Sequence, residues 1–168
     1  MLRAEQAPQV RSLADAVRLR LRFVNRQPGA GTRLLLDHLL HQQQLDPSAL
    51  PGYQRHVEPT HVAVAAAVAS GAADTGLGLA AAAREFKLHF VPLVQEDDFL
   101  VCRADDLDHP AVQRLRALLA SPAWAAALRR RPGYRNASAP GEVLSMTAVL
   151  PWWHFRGLRV AARRSPGA

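Results

Sequence analysis

Arg26 and Arg33 bracket the run Gln27-Pro28-Gly29-Ala30-Gly31-Thr32, whose composition suits the capture of an anion. Glycines let a backbone turn sharply and expose its N–H groups. A helix beginning at such a turn adds the positive end of its dipole. Arginine side chains on either side add charge-assisted donors for an oxyanion. Thr60-His61-Val62 offers a second hydroxyl and a ring at another expected helix start, and Gly76-Leu77-Gly78 is a second glycine-rich turn. The plainer reading of Thr32 and Thr60 is that each only caps a helix, the commonest task for threonine there.

Signatures of catalysis are absent from this set. No Gly-x-Ser-x-Gly elbow occurs, and the glycine turn lacks the lysine of a nucleotide-phosphate loop. His38 and His41 have helical spacing for half a metal site, but no third ligand accompanies them, and they face away from the leucines as solvated histidines. Glu96, Asp97 and Asp98 form a carboxylate group between two apolar runs, read as a solvated hairpin or hinge. Cys102 is expected as a small core residue on a strand; a single cysteine excludes an internal disulfide.

The elements that must position these residues follow from periodicity and punctuation. Ser12 caps a short helix with Asp15 at the capping-box position. Phe23 and Val24 make a strand, and Thr32 caps a helix to about Gln44 with Leu35, Leu36, Leu39 and Leu40 on one face. His56 and Val57 are a second strand, ended by Pro59. Thr60 caps a helix over His61–Ser70 that Gly71 stops. A strand end at Asp74–Thr75 leads into a helix over Ala80–Phe86, and Leu88–Val94 and Phe99–Cys102 read as strands. Asp108 before Pro110, and Ser121 before Pro122, open two further helices.

This alternation predicts an α/β chain with a mostly parallel sheet flanked by helices. In such sheets ligands bind outside the carboxyl ends of the strands, where the three turns fall. The expected organisation is a lead-in over 1–20, an α/β domain over 21–145, and a poorly ordered Arg/Trp tail over 146–168.

The formal charge of +7 is concentrated at the ends. Residues 1–22 carry five arginines against Glu5 and Asp15, residues 152–168 carry four arginines and no acid, and the stretch between them is balanced. A neutral body argues against direct nucleic-acid binding by the core. No apolar run is long enough to span a membrane, and the first residues lack the apolar region of a signal peptide, so the expected location is cytoplasmic.

Phe23 through Asp37, Thr60 through Gly78, and Phe90-Val91-Pro92-Leu93, in that order, resemble segments of the molybdate-binding-protein-like substrate-binding domains. These are type II periplasmic-binding-protein-like domains, often fused to helix-turn-helix regulators. The resemblance covers about residues 12–145. It implies one lobe plus the returning segment of a two-lobed fold that closes on a small oxyanion such as molybdate or tungstate, with no cofactor and no catalysis. It also implies contacts from Ala30–Thr32, Thr60–Val62 and the turn around Leu77. The family usually has serine where this chain has Ala30, which removes one hydroxyl. The candidate ligand-binding residues are therefore Asn25, Arg26, Gly29, Ala30, Gly31, Thr32, Arg33, Thr60, His61, Val62, Gly76 and Leu77. A second copy of the chain, or another polypeptide, would supply the other lobe; the alternative expectation is a ligand-free interaction fragment or truncated product that acts through a partner chain.

Overall fold

The computed structural model describes residues 1–150. The described residues form two compact units, Met1–Val101 with Ala125–Ala137, and Cys102–Trp124 with residues 138–150. The first unit is built on a parallel sheet in the order β2-β1-β3, with β1 (Phe23–Arg26) central, β2 (Val57–Glu58) and β3 (Thr75–Gly76). Asn25 pairs with Val57 and Arg26 with Glu58 on one side of β1; Phe23 pairs with Thr75 and Val24 with Gly76 on the other. The α/β architecture expected from the sequence is the one observed.

Strand alternation divides the core in two. Phe23 points to one face, where it meets α1 (Leu13–Arg18), α2 (Gly31–Gln42) and the loop residues Leu50 and Tyr53. Leu36 and Leu40 are fully buried there, as the helical spacing required. Val24 points to the other face, against Val64, Ala65 and Val68 of α3 (His61–Ala69) and Ala82 and Ala83 of α4 (Ala80–Glu85). The small residues of α3 let it lie close on the sheet.

Capping follows the sequence at Ser12, whose Oγ accepts the Asp15 N–H at 3.2 Å, and at Thr60, whose Oγ1 accepts the Ala63 N–H at 3.0 Å. It departs at α2. The N-cap is Ala30, without a side-chain cap, so Thr32 lies inside the first turn and its hydroxyl is not used as a cap. In the second unit α5 (Pro110–Leu119) is capped by the His109 ring, which accepts the Ala111 N–H, rather than by Asp108. Ser121 Oγ accepts the Trp124 N–H at the start of α6 (Pro122–Arg129), as expected.

Two expected strands do not form. Between Leu88 and Cys102 the only pairing among the described residues is an antiparallel bridge from His89 to Leu2, and Phe99, Leu100 and Val101 are exposed. A strand needs a neighbour, and apolar β-prone residues alone do not supply one. Cys102 is consequently exposed rather than a core residue. The expected tail begins with a helical turn, α7 (Met146–Val149), capped by Ser145. Residues 151–168, with Trp152 and Trp153, lie outside the described part. No helix among the described residues is long and apolar enough to cross a membrane.

Asp74 ties the sheet to the residues around it. Its carboxylate accepts the Arg22 backbone N–H (2.9 Å), both ends of the Arg22 guanidinium (2.7 and 3.0 Å) and Arg3 Nη2 (3.3 Å). These hold its pKa at about 2, chiefly through the Arg22 hydrogen bond. Asp74 binds its proton more readily unfolded, so stability rises with pH through its window. Denaturation midpoints are expected to fall as pH drops from about 4 to 2, where Asp74 and Asp15, whose carboxyl is likewise held at about 2, take up protons. Asp74→Asn is expected to cost about 1–3 kcal/mol at pH 7 and to shrink that step, as urea titrations across pH would register.

Candidate functional site

The site is assembled where β1 and β2 end. From Arg26 the chain turns through Pro28 and Gly29 into α2, and from Glu58 it turns through Pro59 and Thr60 into α3. Parallel strands with short connections deliver the two helix N-termini to the same edge of the sheet. The N–H groups of Gly31 and Thr32 in α2, and of His61 and Val62 in α3, have no acceptor among the described residues. Arg33 and Leu34 N–H both turn back to Ala30 O. Four unused donors at two helix starts make a positive edge.

Side chains link the two starts. Thr32 Oγ1 lies 3.5 Å from His61 Nε2, a contact that a capping Thr32 could not make freely. Arg26 Nη2 donates to Pro59 O at 2.9 Å, which holds its guanidinium across the β2–α3 turn, while its Nε is buried without a partner. His61 Nδ1 is also buried and unpartnered. Desolvation, and then the Arg26 charge, push the His61 pKa below its ordinary value, so the ring is neutral at pH 7. Gly78 allows this packing, since a Cβ there would stand 2.1 Å from Met1 Cε and 3.3 Å from His61 Nδ1.

A cleft of about 370 Å³ opens on this edge, lined by Arg26, Ala30, Gly31, Thr32, His61, Leu79, Glu96, Asp97, Asp98 and Tyr134. Of the sequence candidates, Arg26, Ala30, Gly31, Thr32 and His61 line it. Thr60 and Val62 flank it, Thr60 as the cap of α3 and Val62 through its free N–H. The others have structural work. Asn25 is buried, donating to Tyr53 O at 3.0 Å and accepting the Arg26 N–H at 2.8 Å. Arg33 stacks 4.1 Å above the Tyr53 ring centroid and donates to Asp37, which also accepts from the Tyr53 hydroxyl. Gly29 supplies the turn, with φ +85°. Gly76 is buried in β3, and Leu77 packs against the Leu36–Leu40 core instead of the cleft.

Sequence reasoning missed part of the cleft lining. Glu96, Asp97 and Asp98, read as a solvated hairpin or hinge, are exposed and line the cleft with Leu79 and Tyr134. The position of the acids directly after the Phe90–Val94 run was the available signal; for Tyr134, far along the chain, there was none. His38 and His41 are exposed, in line with the solvated reading, and no cluster of three metal-ligating side chains exists among the described residues.

Comparison with known proteins adds an ancestry. The chain is 31% identical over 134 residues to the uncharacterized protein YvgK of Bacillus subtilis (strain 168), an alignment covering 79% of this chain and 42% of that protein. It is 30% identical over 113 residues to an uncharacterized protein in the 5' region of a ferredoxin 2Fe-2S gene of Clostridium pasteurianum, covering 67% of this chain and 98% of that one. The chain thus spans less than half of the Bacillus relative and nearly all of the Clostridium one. No solved structure matches it. Residues 1–120 match the PBP-like domain, and with a parallel sheet whose helix starts converge on a cleft, the chain belongs to the periplasmic-binding-protein (PBP) superfamily.

Proposed function

We propose that this chain is a non-enzymatic binding module that holds a small ligand by an anionic group, as a sensor module of a transcriptional regulator or as a solute-binding component. The observation that carries this reading is that the unused backbone N–H groups of Gly31, Thr32 and His61, the Thr32 hydroxyl and the Arg26 guanidinium all belong to residues lining one cleft. Neutral donors with one fixed cation suit a small tetrahedral oxyanion, molybdate or tungstate being the type implied by the family resemblance. The family's serine hydroxyl is replaced by Ala30, and the backbone donors beside it remain. Superfamily membership supports binding over catalysis.

The acidic wall favours a second reading. Glu96, Asp97 and Asp98 repel a bare anion and attract a cation, so a dipolar ligand would place its anionic end at Arg26 and its ammonium toward the carboxylates. Isothermal calorimetry of the full chain with molybdate, sulfate, phosphate and glycine tests both. Saturable heat with an oxyanion supports the first, and preference for glycine the second. A cooperatively folded chain that binds none of the four would overturn both.

A further inference from the structure

We propose that Tyr134 is a specificity residue of the cleft, and that it selects an organic anion with an apolar body over a bare inorganic one. The inference rests on the reading of the cleft as an anion site and names the class of ligand. Leu79 and Tyr134 are the two large apolar side chains of the lining, which they share with Arg26, Thr32 and His61. An inorganic oxyanion carries no apolar atoms that would cover a phenol ring or a leucine. Small-molecule sites join a few polar anchors to apolar and aromatic walls within about 300–1,000 Å³, and this cleft of about 370 Å³ has both kinds of surface.

Tyr134 is brought to the cleft by contacts within the first unit. Gly133 adopts φ +79°, and a Cβ on it would stand 2.5 Å from the Ala80 Cβ. The chain after α6 therefore lies directly on the start of α4, an approach that glycine permits. Leu79 is the residue immediately before that helix. The Tyr134 N–H donates to Arg131 O at 3.3 Å, and Asn136 Nδ2 donates to Ala125 O at 3.5 Å, so the turn is tied back to α6 on both sides of the ring. Tyr134 also borders a recess of about 260 Å³ with Ala81 of α4 and with Leu128 and Arg131. The Ala80–Gly133 contact thus fixes an aromatic residue, distant in sequence, on the same cleft as the anion donors.

Calorimetric titration of the full chain with acetate, phenylacetate and inorganic phosphate tests this. Phenylacetate is expected to bind about tenfold tighter than acetate or more, the gain from covering a phenyl ring with Tyr134 and Leu79. Tyr134→Phe should keep that ratio, and Tyr134→Ala should cut it by about threefold or more. Each variant is read as a ratio of two ligands, so a general loss of stability or affinity does not imitate the effect. The parent ratio needs no variant, and it can overturn the proposal even if Tyr134→Ala does not fold. If acetate or phosphate binds at least as tightly as phenylacetate, or if the ratio survives Tyr134→Ala, the proposal falls while the anion site stands. A folded chain that binds none of the three would overturn the anion reading as well.

Discussion

Gly52→Ala is expected to destabilise the protein by about 3 kcal/mol or more. Gly52 has φ +96°, a conformation that L side chains rarely adopt, and an added Cβ would stand 2.3 Å from the Phe23 carbonyl oxygen. That neighbour is backbone of the central strand and cannot rotate away. The turn also carries the bonds that register β1 against β2: Phe23 N–H to Pro51 O, His56 N–H to Gly52 O, and Asn25 N–H to His56 O. Relieving the clash therefore pulls on the strand that ends at Arg26. Gly29→Ala is the matched control. It has nearly the same φ, +85°, but nothing lies within 4 Å of its new Cβ, so it should cost about 1 kcal/mol. Urea denaturation of the two variants separates backbone conformation from collision. Equal losses would show that the sheet yields at Phe23.

What could be read in the sequence was local. The caps at Ser12, Thr60 and Ser121 each depend on a hydroxyl and an N–H three residues on, and all three were legible. The leucine spacing of α2 indicated which side faces the core, and Leu36 and Leu40 are fully buried. The start of α2 was misplaced because Ala30, the true N-cap, has no polar side chain to announce it, whereas Thr32 looks like a cap. That two-residue difference matters chemically, because it frees the Thr32 hydroxyl to face His61.

Non-local features were legible only in part. The Phe90–Val94 and Phe99–Cys102 runs have strand composition, yet strand formation depends on a neighbour that composition does not contain. The same gap hid the acidic wall. Glu96, Asp97 and Asp98 are exposed, as the solvated reading had them, but what composition could not show is that this unpaired segment also lines the cleft. Arg33 was misread for a related reason. Its flanking position suits an anion, but Tyr53, twenty residues away, offers it a ring and Asp37 a carboxylate. Among the described residues the Arg26 guanidinium has only the Pro59 carbonyl, and no carboxylate lies within bonding distance to neutralise its charge.

Arg26→Ala is expected to lower affinity for sulfate or molybdate by about ten- to a hundredfold, the worth of one charge-assisted hydrogen bond. Thr32→Ala, which removes a neutral donor, should cost about two- to tenfold. Arg26→Lys should not restore the parent value, because a single ammonium cannot both hold Pro59 O and reach an anion as the planar guanidinium can. His61 gives the experiment an internal check. Its pKa is lowered by desolvation and by Arg26, so its ring gains a proton only below its ordinary range. Sulfate keeps its charge over that range, and its affinity should therefore rise as pH falls, when a second cation enters the site. In Arg26→Ala the repulsion is gone, and the rise should begin at higher pH. Calorimetric titrations with sulfate between pH 7.5 and 5, a span set by the ordinary histidine value of about 6.5, follow both effects. An affinity that does not rise as pH falls would place the anion out of reach of His61, and a rise that does not shift in Arg26→Ala would show that the Arg26 charge does not reach the ring.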